Sequence, residues 1–276
     1  MGLLDGQYAS MTTGRSMDFD DLRSYVPGDD VKDIDWKSSA RAGELLIKSY
    51  RAERRHTLAF VVPTGGSLAS AATLTHSKID VVLATIGVLA WVACHQGDYV
   101  TVVAPGQDGP SVARPSYRDT QIEHMLAGLD AGCRLEAPDP DLVELLDLTA
   151  SGLRRRCIVV VVLDDWDPRP ADIDALASLC ARHEVLAIEV SDLDLTDPAL
   201  AVVPTRDQAS GQPVPGFVAR DRQVREQAVA ARQERARRRG HTLDRLGIIH
   251  ESVADVDDSI AAIVRLLERM RHASRH

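Results

Sequence analysis

The sequence predicts an α/β protein whose core is a doubly wound, mostly parallel sheet. Several compact apolar runs have strand character, and the clearest, residues 157–163 (CIVVVVL), is almost continuous in β-branched residues. Such a run is typical of a parallel strand that helices cover on both faces. Segments with apolar residues at helical spacing separate the runs, and this alternation indicates a doubly wound sheet. Ligands of such sheets lie at the carboxyl ends of the strands.

The elements can be taken in order from residue 56. The first strand, 56–62, ends at Pro63 and a glycine pair, the usual punctuation of a turn. A helix with a start signal at Ser77 runs to His95 and is apolar on most of its surface, so we expect it to be buried. The remaining predicted elements are a strand at 99–104, helices at 118–129 and 139–153, the strand at 157–163, a helix at 171–183, a strand at 185–190, an irregular stretch at 192–220, an arginine-rich helix at 222–246, an edge strand at 248–250 and a closing helix at 255–272.

These elements predict three parts of the chain. An N-terminal segment covers residues 1–55, the α/β core covers 56–191, and a hairpin with C-terminal helices at 192–276 completes the core. A chain of 276 residues is long enough for a full hydrophobic core.

Charge and composition exclude some classes of function. The net charge of −9 and a pI near 5.5 argue against a general nucleic-acid binder, which normally carries a basic excess. The basic run Arg235–Arg239 is typical of a solvated helix face. Its other uses would be docking to an acidic protein surface or contacting a nucleic acid.

The same survey indicates a cytoplasmic protein without membrane insertion. No signal peptide is visible, and the most apolar window, 81–94, is too short to span a bilayer. Unpaired cysteine spacing favours reduced thiols over a disulfide framework or zinc site. The four cysteines are Cys94, Cys133, Cys157 and Cys180.

The stretch from Gly14 to Arg55, here called the signature segment, combines closely spaced charges of both signs with aromatic and aliphatic residues. A solvated linker would not need the apolar residues, and a core segment would not tolerate unpaired charges. The run Pro27-Gly28-Asp29-Asp30 predicts a turn, and Ile34, Trp36 and residues 45–47 predict short extended runs. We interpret the segment as a surface device, held rigid by internal ion pairs, that a partner contacts.

A resemblance to a known family lies in this segment. It is carried by Asp20-Asp21-Leu22-Arg23, Tyr25, Pro27-Gly28-Asp29-Asp30, Ile34-Asp35-Trp36-Lys37 and Ala40-Arg41. This run resembles the signature of the bacterial domain-of-unknown-function 58 family (DUF58). The resemblance implies a von Willebrand factor A-like domain after the segment and a MoxR-type AAA+ ATPase as partner.

Six residues of the segment are the candidates for partner binding. Trp and Arg are typical anchors of protein interfaces, and acids can fix the register of binding. The candidates are Arg23, Asp29, Asp30, Asp35, Trp36 and Arg41. The alternative is that these residues only hold the segment in place. The dense carboxylates Asp29, Asp30, Asp33 and Asp35 could serve acid–base chemistry, but the interleaved Lys32, Lys37 and Arg41 favour ion pairing.

The resemblance also implies a metal site, and the sequence predicts that it is degenerate. Von Willebrand-type domains normally bind a divalent cation through Asp-x-Ser-x-Ser after the first strand, a threonine and a later aspartate. The matching run is Pro63-Thr64-Gly65-Gly66-Ser67, in which only Ser67 survives, and the threonine position falls near Pro140.

Few oxygen ligands remain for a cation at this site. Asp165 is the later aspartate, with Thr64 and Asp164 as stand-ins. Mg²⁺ is the ion that such a remnant could hold, but it takes about six oxygen ligands, so we expect no ordered metal and no other cofactor. The competing interpretation of Asp164 and Asp165 is that they cap the following loop or helix.

Two main hypotheses of function result. The sequence contains no nucleotide-binding loop, no nucleophile elbow and no zinc-ligand spacing among its histidines. The first hypothesis is a non-catalytic adaptor for a MoxR-type AAA+ ATPase that remodels or matures client proteins. The second is a metal-dependent hydrolase that uses Asp164 and Asp165, or the Asp29–Asp35 carboxylate cluster.

Overall fold

The computed structural model describes residues 17–26, 31–52, 56–106 and 109–273, which form two compact units. The smaller unit contains strand β1 (Met17–Ser24), helix α1 (Trp36–Ala42) and strand β2 (Leu46–Ala52). The larger unit contains every described residue from His56 onward.

The smaller unit is an antiparallel strand pair with a helix in its connection. β1 pairs with β2 from Met17 opposite Ala52 to Ser24 opposite Leu46, with one irregularity between Phe19 and Asp21. Ser39 fixes α1 on β2, because its Oγ accepts the N–H of Leu46 at 2.8 Å and donates to the carbonyl of the same residue at 3.3 Å. Hydrogen bonds therefore hold the helix against the strand.

One expectation for this unit is wrong, since Trp36 begins a helix and is not extended. The side chain of Asp35 accepts the N–H of Ser38 at 3.0 Å, which makes it an N-cap. Gly43, at φ 75°, ends the helix in the left-handed conformation. These local signals outweigh the strand preference of Ile34 and Trp36.

A six-stranded sheet forms the centre of the larger unit. The strands of the larger unit are β3 (Thr57–Val61), β4 (Tyr99–Gly106), β5 (Gly109–Val112), β6 (Ile158–Leu163), β7 (Glu184–Val190), β8 (Thr205–Arg206), β9 (Pro213–Val214) and β10 (Ile249–Val253). All of them except β8 and β9 belong to the six-stranded sheet. The order in the sheet is β10-β7-β6-β3-β4-β5. All neighbours are parallel except β4 and β5, while β8 and β9 form a separate antiparallel hairpin.

Helices cover both faces of this sheet. The helices of the larger unit are α2 (Gly66–Ala69), α3 (Lys78–His95), α4 (Asp119–Gly132), α5 (Leu142–Gly152), α6 (Pro170–Cys180), α7 (Phe217–Arg220), α8 (Arg222–Arg245) and α9 (Ser259–Ala273). Apolar residues of α5 and α6, with Leu243 of α8, pack on alternate side chains of β3, β6 and β7. Helices α3, α4 and α9 pack together on the other face.

The predicted fold class is confirmed. All six residues of β6 are buried, as expected for a strand covered on both faces. Helix α3 begins with a capping box in which Ser77 and Asp80 bond reciprocally, so the start signal is also confirmed. Strand β5 was not predicted, because its four residues alternate between exposed and half-buried positions and include Pro110.

The apolar window 81–94, expected to be too short for a membrane span, lies within the 18-residue helix α3, which has the length and composition of one. Within the described residues it is the one helix that passes this test, and 56% of its apolar window is buried inside the fold. The core helix of a globular domain passes the same test, so the finding is weak evidence for a membrane.

Candidate functional site

The candidate site lies at the position where the strand order of the doubly wound sheet reverses. Strand β3 has β4 on one side and β6 on the other, and the loops after β3 and β6 leave the same edge of the sheet. A cleft of about 820 Å³ opens there. Its lining is rich in carboxylates, namely Asp139, Asp141, Asp164, Asp165, Asp167, Asp172, Asp192 and Asp207, with Lys78, Arg169 and Arg206 as its bases. This is the position at which sheets of this class bind ligands.

The loop after β3 is packed tightly against the segment before α5. The N–H of Gly66 donates to the carbonyl of Ala137 at 3.1 Å, and the N–H of Ser67 donates to Asp139 Oδ1 at 2.7 Å. A Cβ atom on Gly65 would lie 2.6 Å from Asp139 Oδ1 and 2.9 Å from the carbonyl oxygen of Pro138. The glycine pair is therefore required by the close approach of the two segments.

Lys78, the first residue of α3, carries its ammonium group into the middle of the site. Its side chain is only 3% exposed. Nζ donates to Asp192 Oδ1 at 2.5 Å, to Ser67 Oγ at 3.2 Å and to Asp164 Oδ2 at 3.4 Å. Ser67 Oγ also donates a short hydrogen bond to Asp164 Oδ2. The four side chains form one connected ion-pair and hydrogen-bond cluster.

Asp164 and Asp165 point to opposite sides of the sheet. Asp164 meets Lys78 on the α3 side, whereas Asp165 accepts from Arg239 of α8 at 2.5 Å and lies 3.3 Å from Arg235. The two aspartates lie in the bend that follows β6, whose last residue, Leu163, packs on the α8 side. We expected Asp165 to be the later aspartate of the site, with Asp164 as a stand-in, and the carboxylate that contacts Ser67 is that of Asp164.

Behind Asp165 lies a buried charge network. Glu189 of β7 accepts from Arg239 Nε and from His250 Nδ1, both at 3.0 Å. Burial alone would raise the pKa of Glu189, but the hydrogen bonds from His250 and Arg239 outweigh it and hold the pKa below its ordinary value. The hydrogen bond to Glu189 in turn raises the pKa of His250, against the opposing effect of burial. The network fastens α8 to β6, β7 and β10.

Of the two sites proposed for capping by Asp164 and Asp165, the following loop or helix, the helix is capped by another residue. The capping carboxylate of α6 is Asp172, which accepts the N–H of Arg169 at 3.0 Å and the indole N–H of Trp166 at 3.1 Å. Burial of Asp172 opposes its ionisation, but hydrogen bonds, first of all from the Arg169 side chain, hold its pKa below the ordinary value. Asp172 thus fixes one wall of the cleft.

The residues at the strand ends do not fit a divalent cation. Of the four candidate ligands, Ser67 and Asp164 come together, but both contact the ammonium of Lys78. Thr64 is buried beside Gly132, and Asp165 faces arginines. The described part of the chain contains no group of three or more His, Cys, Asp or Glu side chains arranged to hold a metal.

Sequence reasoning missed Lys78, Asp139 and Asp192. One signal was available for Lys78. The capping box places it in the first turn of α3, and a cation is unfavourable at the positive end of a helix unless acids compensate it. The sequence contains no signal for Asp192, because this residue lies 114 positions from Lys78.

The signature segment holds the other candidates, and the structure describes some of them. Asp35 caps α1, and Trp36 and Arg41 are exposed residues of that helix. Arg23 lies in β1 opposite Ile47. Asp29 and Asp30 lie outside the described residues.

Chemically, the strand-end cluster holds together the segments that follow β3, β6 and β7, because Lys78 bonds a residue of each. Its hydroxyl, Ser67 Oγ, is hydrogen-bonded to a carboxylate and an ammonium. The fold and the site together define a doubly wound α/β domain with a lysine-centred ion-pair cluster at the carboxyl ends of its strands.

The chain belongs to the family described as "Protein of unknown function DUF58", whose model matches residues 21–238. It is 29% identical over 219 residues to uncharacterized proteins of Mycobacterium bovis and Mycobacterium tuberculosis, a match covering 76% of this chain. The chain spans 66% of the length of those relatives, just under two thirds.

The solved structures to which this chain is similar have low sequence identity to it. An aerotolerance-related membrane protein from Bacteroides fragilis has a TM-score of 0.48 and 10% identity, with 78% of this chain and 100% of that chain covered. A von Willebrand factor type A protein from Catenulispora acidiphila has a TM-score of 0.39 and 12% identity, with 83% and 43% covered.

Proposed function

We propose that this protein is a cytoplasmic, non-catalytic adaptor that binds a MoxR-type AAA+ ATPase and helps it to remodel or mature client proteins. Membership of the DUF58 family supports the choice of partner through the resemblance described above. The observation that carries the proposal is the exposure of Trp36, whose side chain stands on a helix that is fixed in place.

Trp36 has the properties of an interface anchor. It is 64% exposed, although tryptophan gains more than most side chains from burial. Among the residues of the same unit whose exposure is described, Val26, Val31 and Leu45 are exposed as well. Tryptophan and arginine are the residues most enriched at the energetic centres of protein interfaces, and Arg41 is exposed on the same helix.

The helix that carries Trp36 is pre-organised. The Asp35 cap, the Ser39 bonds to β2 and the Gly43 terminator define both of its ends. A surface that is already ordered loses less conformational entropy on binding than a flexible loop. Asp35 therefore holds the segment, and Trp36 and Arg41 are the residues we expect to touch the partner.

Binding of the purified ATPase encoded by the same genome tests the proposal. We expect Trp36→Ala to weaken the measured Kd by about 30-fold or more, since hot-spot tryptophans contribute at least about 2 kcal/mol. Trp91→Ala is the matched control, because Trp91 is 59% exposed but lies on α3 of the larger unit. An equal loss in both variants, or no binding by the wild type, would contradict the proposal.

A further inference from the structure

We propose that the ammonium group of Lys78 takes the place of the divalent cation at the strand ends of this domain. The disagreement between fold and residues motivates the proposal. A von Willebrand A-like sheet implies a cation at this position, whereas the chain supplies the surviving Ser67, the stand-in Asp164 and a buried lysine that contacts these two side chains.

The geometry around Nζ is that of a satisfied cation. An ammonium has three N–H donors, and Lys78 Nζ has three oxygen acceptors, on Ser67, Asp164 and Asp192. One of these acceptors, Ser67, is a residue that the motif assigns to a metal, and Asp164 is the stand-in beside the assigned Asp165. The third, Asp192, follows β7 and adds a carboxylate from a neighbouring strand end. The side chain is almost completely shielded from water.

The substitutions in the motif agree with a change from a doubly to a singly charged cation. Pro63 replaces the leading carboxylate and Gly65 replaces the first serine, so the site has lost negative charge and an oxygen ligand. The backbone of Lys78 is also fixed, because its N–H donates to the carbonyl of Ser70 at 2.8 Å. The lysine is therefore held in position from both its backbone and its side chain.

Two consequences follow from a tethered cation. The strand-end loops keep their arrangement at any concentration of Mg²⁺ or chelator. A partner's carboxylate cannot complete the coordination shell of a shared metal here, because the ammonium is already saturated by oxygen atoms of this chain.

Mn²⁺ titration followed by electron paramagnetic resonance tests the proposal on the full-length protein. The wild-type protein should have no Mn²⁺ site that the Asp164→Asn substitution removes. Lys78→Ala should gain one saturable site and a rise in melting temperature with added Mn²⁺, and Lys78→Ala/Asp164→Asn should lose both. Lys37→Ala removes the same charge from an exposed position and should gain nothing.

Lys78→Gln provides a second variant, because it removes the charge but keeps hydrogen-bonding capacity. Folding of either variant only in the presence of Mn²⁺ would support the proposal. A wild-type protein that binds Mn²⁺ and loses the ion on Asp164→Asn would overturn it. Failure of both Lys78 variants to gain a site would overturn it as well.

Discussion

Substitution of Arg239 by methionine should destabilise the larger unit strongly, because it breaks the charge network behind the candidate site. The Arg239 side chain is only 11% exposed and bonds both Glu189 and Asp165. Methionine has a similar length and apolar stem, so the change removes mainly the charge and the hydrogen bonds.

The expected magnitude comes from the groups left behind. Removing one partner of a buried ion pair costs about 3–5 kcal/mol, since the other charge stays buried. Glu189 would retain His250, and Asp165 is exposed enough for water to solvate it in part. We therefore expect the lower end, about 3 kcal/mol. The urea midpoint should fall by roughly 1 M for a denaturant slope near 3 kcal/mol/M.

Tryptophan fluorescence during urea unfolding is the assay, and Trp166, which follows β6 and donates to Asp172, is the reporter near the network. Arg237→Met is the matched control, because Arg237 lies on the same helix but its side chain is 76% exposed. Its ion pair with Glu234 is long, at 3.8 Å. Exposed pairs contribute at most about 1 kcal/mol. Equal free energies of unfolding for the two variants would refute the assignment of a stabilising role to the network.

Two further predictions concern pH and the glycine loop. The folded-state pKa of His250 is raised above 6.5, so protonated His250 stabilises the fold fully below pH 6.5, and this stabilisation is lost as pH rises through the folded-state pKa. The difference in unfolding free energy between wild type and His250→Gln should therefore shrink from pH 6 to pH 9. A difference that stays constant over this range would contradict the raised pKa. Gly65→Ala should destabilise the protein by about 1–3 kcal/mol because its Cβ meets Asp139 and Pro138, whereas Gly128→Ala in α4, where nothing lies within 4 Å, should stabilise it by up to about 1 kcal/mol in thermal melts. Equal melting temperatures would show that the loop can move aside.

The sequence was most informative where one local property decides the structure. β6 was predictable because a run of β-branched residues has few alternatives to a buried strand. The start of α3 was predictable because Ser77 and Asp80 form a local capping pattern. Trp36 was assigned wrongly because the N-cap at Asp35 acts through a single side-chain bond that competes with strand propensity.

The site was only partly predictable, since its members meet through tertiary packing. The neighbouring aspartates after β6 were identified, but the choice between them depends on which face of the sheet carries α3 and which carries α8. Lys78 and Asp192 are brought together by the order of the strands, which no local pattern specifies. Asp139 accepts a hydrogen bond from the backbone N–H of Ser67, and no sequence pattern indicates such a contact between distant residues.

The position of β3 in the middle of the sheet has a consequence for synthesis of the protein on the ribosome. One neighbour, β4, emerges soon after it, but the other, β6, pairs residue 158 with residue 58. During translation β3 therefore presents an unpaired, strongly apolar edge until the second half of the polypeptide has left the exit tunnel. Nascent chains of this kind expose hydrophobic surface for longer than chains built from local hairpins, and so depend more on chaperones.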